Sequence, residues 1–134
     1  MSRYMLDTDM ASYLIRGDRP AVTEAFKKHF RNVCISSVTL AELQYGAAKR
    51  RSQALSKKVQ AFCELVPCVD WGADAAAAYA NLRTDLEADG TPIGSMDMLI
   101  AASALAEGAI LVTNNTSHFS RIHGLKLENW CEEA

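Results

Sequence analysis

Along this chain, short unbroken apolar runs alternate with segments whose apolar residues recur at helical spacing. "RYMLD" is apolar up to Asp7 and predicts a short buried strand, and "MASYLIRG" follows as a helix stopped by Gly17. Pro20 opens "PAVTEAFKKHF", where Val22, Ala25, Phe26 and Phe30 share one face and proline suits the first turn. "NVCIS" predicts a second strand, and "SVTLAELQYGAAKR" a helix capped by Ser36 or Ser37. A polar-amphipathic helix from about Gln53 to Glu64 leads into "LVPCVD", a third extended piece. "ADAAAAYANLRTDLEADG" is an Ala-rich helix closed by Gly90. "SMDMLIAASALAEG" is apolar nearly all round and therefore predicts a buried helix, ending at Gly108. "AILVT" suits the middle of a parallel sheet, and "LKLENW" is a last candidate strand.

Strands that alternate with helices imply right-handed crossovers and a doubly wound α/β sandwich. In such sheets the ligand crevice lies at the carboxyl ends of the strands. Three acids stand near those ends. Asp7 ends the first strand, Glu42 lies about one turn into the helix after the second, and Asp97 begins the helix that leads into "AILVT". Glu42 and Asp97 have no basic residue three or four positions away, whereas Glu24 has Lys27 and Lys28, and Glu87 has Arg83. Unpaired acids converging on one crevice repel one another unless a cation sits among them. The hard, oxygen-ligated cation for such a cluster is Mg²⁺ or Mn²⁺. Each acid also has a plainer reading. Asp97 alone suits a helix cap or dipole partner equally well, Asp9 in "DTDMAS" reads first as the cap of the first helix, and a lone Glu42 reads as a surface residue.

Composition narrows the class. The 134 residues suffice for one domain with its own core, and 49% hydrophobic with 22% charged residues is ordinary for a globular chain. Neither a long apolar span nor a signal-peptide core is visible, so the expectation is a cytoplasmic protein without membrane contact. Cys34, Cys63, Cys68 and Cys131 form no CxxC pair and read as reduced thiols. His29, His118 and His123 lack zinc-site spacing. Net charge is −2, but it is unevenly spread. Residues 27–58 carry eight basic side chains against Glu42, and residues 59–134 carry three basic against eleven acidic. The basic stretch suits a polyanion, or else two solvated helix faces.

The sequence resembles the PIN-domain ribonucleases, and closely the VapC toxins of bacterial VapBC toxin–antitoxin pairs. The likeness spans essentially the whole chain through "YMLDTD", "CISSVTLAELQYGAAK", "GTPIGSMDMLIAASALAEGAILVTNN" and "HFSRIHGLKLENW". It implies a single PIN domain over residues 1–134, a three-layer α/β sandwich whose central, mostly parallel sheet is flanked by helices. The family's first, second and third acids fall on Asp7, Glu42 and Asp97, which the resemblance makes catalytic and metal-ligating. Two positions depart from the family pattern: Asn115 and His118 stand where further acids are common. His118 therefore has two readings, proton transfer or plain surface residue, with Asp9, Thr113 and Asn115 in supporting places. The resemblance further implies a Mg²⁺-dependent endoribonuclease toxin whose favoured substrate class is structured tRNA, especially initiator tRNA. It implies inhibition by a VapB antitoxin that supplies the operator-DNA contacts, and a homodimer within a heterotetramer or larger complex. Within the basic stretch, Lys49, Arg50 and Arg51 are the candidate RNA contacts.

Two rivals remain at this stage. "LDTD" after a strand also resembles the haloacid dehalogenase-type phosphatases, with Asp7 as nucleophile and Asp9 as acid, and a non-catalytic binding module would use the same charges without turnover. Asp9→Ala separates the enzymes. A phosphatase loses nearly all turnover in that variant, whereas the expected result in a nuclease assay is a smaller loss than Asp7→Ala causes.

Overall fold

In a computed structural model that describes residues 2–131, the chain forms an α/β sandwich around a five-stranded, all-parallel sheet. The strands are β1 (Tyr4–Leu6), β2 (Val33–Ser36), β3 (Cys68–Val69), β4 (Ile110–Val112) and β5 (Leu127–Glu128). Between β1 and β2 lie α1 (Thr8–Arg16), α2 (Pro20–His29) and a 3-10 turn (Phe30–Asn32). Helices α3 (Ser37–Lys49) and α4 (Gln53–Leu65) connect β2 to β3, and α5 (Ala73–Ala88) and α6 (Ser95–Glu107) connect β3 to β4. A short helix, α7 (Thr116–Phe119), precedes β5. Met1 and residues 132–134, the ends of the expected 1–134 domain, lie outside the described residues.

Strand alternation explains the three layers. Side chains two apart on a strand share a face. Tyr4 and Leu6 of β1, Val33 and Ile35 of β2, and Val112 of β4 enter one core with Met10, Val22, Leu43, Val59 and Phe62. Met5, Cys34 and Leu111 face the other way, into a core closed by Leu82, Leu86, Met98, Ile100 and Phe119. Helices α1 to α4 thus cover one face, and α5 to α7 the other. The continuous apolarity of "YML" and "ILV" is what burial on both faces demands.

The strand order is β3-β2-β1-β4-β5. From β1 the chain winds outward through β2 and β3, then crosses back to place β4 on the other side of β1. The order therefore reverses between β1 and β4, the place beyond the strand carboxyl ends where sheets of this kind form their ligand crevice. Gly108 makes the tight entry to β4 possible: at φ 61° it closes α6 with N–H bonds to the carbonyls of Ala104 and Leu105, a conformation costly for residues with a Cβ.

The elements differ from the expectation in a few places. Helix α1 begins at Thr8, and its cap is Asp7, not Asp9: the Asp7 carboxylate accepts from the Met10 N–H at 2.9 Å. A cap must have extended backbone, and the last residue of β1 already has it (φ −76°, ψ 174°). Edge strands β3 and β5 are two residues each, shorter than "LVPCVD" and "LKLENW" suggested, in keeping with the short edges that limit unwanted pairing. Helix α7 is new, because four residues show no period.

Phe119 of α7 is fully buried in the second core. Phe119→Ala is expected to lower unfolding free energy by about 3–5 kcal/mol, read as a lower midpoint in urea denaturation.

Candidate active site

The crevice between β1 and β4 gathers the residues that end those strands. Asp7 follows β1, and its own N–H donates to the Val112 carbonyl across the strand pair at 3.0 Å. Its side chain is buried, held by the Met10 N–H and by the Thr113 hydroxyl. Thr113, fully buried at the end of β4, in turn accepts from the Asn115 N–H at 2.9 Å. Desolvation is the main force on Asp7 and pushes its pKa from 3.8 up to about 6. The hydrogen bonds from Thr113 and Met10 oppose that rise, and the charges of Asp9 and Asp97 add to it.

Glu42 reaches the same region from α3, whose start is fixed by the Ser36 hydroxyl accepting from the Val38 N–H. The helix buries Thr39, Leu43 and Ala47, which leaves Glu42 at the border of the buried face. Its carboxylate accepts a hydrogen bond from the Thr8 hydroxyl, and Thr8 also lies 3.3 Å from the Thr39 hydroxyl. Thr8 is a residue that sequence reasoning passed over. The signal was present in "LDTD", where a hydroxyl separates two acids and follows the strand.

Asp97 enters from the first turn of α6, half-buried. The cap of that helix is Gly94, with no side-chain capping bond, so the plain capping role does not describe Asp97. Its carboxylate curls back within 3.7 Å of the place a Cβ on Gly94 would occupy. Desolvation raises its pKa, Glu42 and Asp9 raise it further, and His118 lowers it. Those influences show that Asp9, Glu42, Asp97 and His118 share one electrostatic neighbourhood, and Asp7 feels two of them. His118 sits on α7, exposed, with its Nδ1 2.8 Å from the Asn115 amide nitrogen.

The donor set suits a hard cation. Carboxylate oxygens dominate it, and no Lys or Arg is among the charges that act on Asp7 or Asp97. The acids are not drawn into a finished ligand sphere, however. Among the described residues no three His, Cys, Asp or Glu side chains are close enough together to hold an ion. As expected, no ion pair among the described residues involves these acids; neutral donors hold them instead, Met10 and Thr113 on Asp7 and Thr8 on Glu42. Like charges in a low-dielectric crevice separate and take neutral donors until a cation offsets their repulsion.

The expected basic contacts divide. Arg50 lines a groove shared with Thr8 and Glu42, and Arg16 of α1, which the sequence reading missed, lines it as well. Lys49 is the exposed last residue of α3, and Arg51 forms the following turn at φ 51°. The more spacious hollow near Trp130 and Pro20 lies on α2 and β5 and contains none of the candidate acids. No described helix is long and apolar enough to cross a membrane.

Comparison with known proteins identifies the family. The PIN domain pattern matches residues 4–125. The tRNA(fMet)-specific endonuclease VapC of Shigella flexneri is 38% identical, covering 97% of this chain and 99% of that protein. Ribonuclease VapC2 of Rickettsia felis is 41% identical over 95% and 97%. Among solved structures, VapBC2 from Rickettsia felis bound to a promoter DNA fragment superposes with a TM-score of 0.89 at 40% identity, covering 95% of this chain and 98% of that one. DNA-bound VapBC from Salmonella typhimurium superposes at 0.88 with 36% identity, over 98% and 100%.

Burial of Asp7 sets a pH dependence. Its folded pKa lies above the usual value, so its protonated form favours folding below about pH 4, and that contribution is lost as pH rises through about 6. The shift amounts to roughly 3 kcal/mol. Asp7→Asn keeps an amide oxygen for the Met10 cap and removes the charge. In EDTA at pH 7.5 the variant is expected to be up to about 3 kcal/mol more stable than wild type, with the difference vanishing near pH 4. Urea denaturation across that range measures it, and an Asp7→Asn protein no more stable at pH 7.5 contradicts the burial argument.

Proposed function

The chain belongs to the PIN-domain family, and within it to the VapC proteins; from that premise we propose that it is a metal-dependent endoribonuclease toxin neutralised by a VapB antitoxin. What supports this reading is that acids from three separate elements feel one another: Asp97 acts on Asp7, and Glu42 acts on Asp97. Full-length similarity to proteins named for tRNA(fMet)-specific endonuclease activity supports initiator tRNA as the substrate. Their occurrence in VapBC complexes on DNA supports an antitoxin partner through which the chain reaches its operator. We take the chain as a single PIN domain that acts in the cytoplasm and assembles as a homodimer within a heterotetramer or larger antitoxin complex. Exposed alanines of α5 would contribute to the dimer contact.

Asp7 and Asp97 would hold Mg²⁺, or Mn²⁺, with Glu42 binding directly or through water. When bound, such an ion lowers the pKa of water and offsets charge developing on the phosphate oxygens. The remaining work falls to the chain's own groups. The Met10 N–H and the Thr113 hydroxyl fix Asp7, and Asn115 steadies Thr113. Thr8 orients Glu42. With Nδ1 of His118 accepting from the Asn115 amide, the ring proton sits on Nε2, which would donate a hydrogen bond to the departing 3′ oxygen. Asp9, exposed in the first turn of α1, raises the pKa of both Asp7 and Asp97 without filling a ligand position. Lys49, Arg50 and Arg51 supply phosphate contacts. Water attack leaves a 5′-phosphate and a 3′-hydroxyl.

Asp97→Asn, folded by circular dichroism, is expected to cut RNA at least about 100-fold more slowly than wild type, since even supporting residues around a metal cost 10–100-fold when removed. EDTA is expected to abolish cleavage, and Mg²⁺ or Mn²⁺ to restore it. Brief induction of wild type beside Asp7→Asn, followed by sequencing of RNA ends, identifies the substrate. Equal growth and identical RNA ends in the two cultures remove the toxin reading and leave a binding module.

A further inference from the structure

Beside the carboxylates a groove of about 130 Å³ runs between α1, α3 and α4. Thr8 and Glu42 line it together with Arg16 and Arg50, and Ile15 and Leu55 contribute apolar wall. The two arginines do not neutralise the acid beside them. Glu42 has the Thr8 hydroxyl as partner, Arg16 binds Asp18 at the surface at 3.2 Å, and among the described residues Arg50 makes no ion pair. Two arginines therefore line a groove that also contains Glu42, and the groove itself is partly apolar; the Arg16 guanidinium rests on Asp18 and over the Tyr13 ring, from which it would turn to reach a ligand. A solvent-facing ion network needs no apolar wall, and a purely apolar ligand needs no arginines.

We propose that this groove is a subsite for one unpaired nucleotide flanking the scissile phosphate, with Arg16 and Arg50 on its phosphate oxygens and its base against Ile15 and Leu55. The assignment rests on the ribonuclease reading of the neighbouring crevice. Charge complementarity selects the occupant: a nucleotide is an anion with a flat, weakly polar face, and both halves have a counterpart here. A paired base cannot enter, because its face is covered by stacking and its edge by its partner; sequence-specific RNA recognition uses bases splayed out of loops for that reason. The groove thus makes an unpaired nucleotide beside the cut a structural requirement. It also places Arg16, distant in sequence from the basic stretch, among the substrate contacts.

Gly46 of α3 provides the test, since it lines the groove and a Cβ built on it meets nothing within 4 Å. Gly46→Leu puts a side chain into the groove while removing a glycine from a helix interior, a change that favours the helix by up to about 1 kcal/mol. With a labelled RNA stem-loop as substrate, Gly46→Leu is expected to raise KM about tenfold or more, with kcat and Mg²⁺ dependence near wild type and Tm no lower. The double variant Arg16→Ala, Arg50→Ala is expected to reduce the slope of log affinity against log salt by about 0.7, the value of one single-strand phosphate contact. Fluorescence anisotropy with Ca²⁺ in place of Mg²⁺ reads that slope. Arg83→Ala, which removes an exposed charge on α5, leaves it unchanged. Unaltered KM and slopes in an active protein overturn the subsite alone, and an inert wild type removes the nuclease reading with it. If Gly46→Leu cleaves like wild type yet escapes inhibition by the antitoxin, the groove belongs to the protein partner and the nucleotide assignment falls.

Discussion

A carboxylate buried at the end of the central strand governs the architecture around it. Asp7 cannot move to solvent, because β1 lies between β2 and β4 and its backbone N–H is committed to Val112. It must therefore be satisfied where it stands, by the Met10 N–H in the first turn of α1 and by Thr113 at the end of β4. Those two ties join three elements, so the charge that strains the metal-free protein also determines where α1 begins. The pKa near 6 expresses that strain. A site that holds its acid at a cost in stability until a cation arrives is the familiar exchange of stability for activity.

Helix α3 carries the site's division of labour. One side buries Thr39, Leu43 and Ala47. Glu42 leaves the border of that face toward the other acids, and Gly46 and Arg50 follow one and two turns later along the groove. Thr8 ties the helix to α1 through both Thr39 and Glu42, so the relative placement of α1 and α3 is set by hydroxyls as well as by packing. Rigid helices, rather than loops, thus present two of the three acids, an arrangement that suits precise chemistry.

Membership in the PIN-domain family and the crevice geometry rest on independent observations. The resemblance was carried by motifs, above all "GTPIGSMDMLIAASALAEGAILVTNN", whereas the crevice follows from strand order alone. The phosphatase alternative had only "LDTD" behind it, and the full-length similarity to VapC proteins sets it aside.

The sequence by itself determined the alternation of strands and helices, the double burial of β1 and β4, and the standing of Glu42 and Asp97 as acids without basic neighbours. These are local properties: period, capping chemistry and side-chain spacing are written within a few residues. It assigned the first cap to Asp9 instead of Asp7, because spacing alone does not say where a two-sided strand stops. Only the tertiary structure decided the partners. Thr8 for Glu42, Thr113 for Asp7, His118 near Asp97, and Arg16 opposite Arg50 all join segments far apart in the chain. Which charge faces which neutral donor depends on how the helices pack across the sheet, and that contact is made by the fold as a whole.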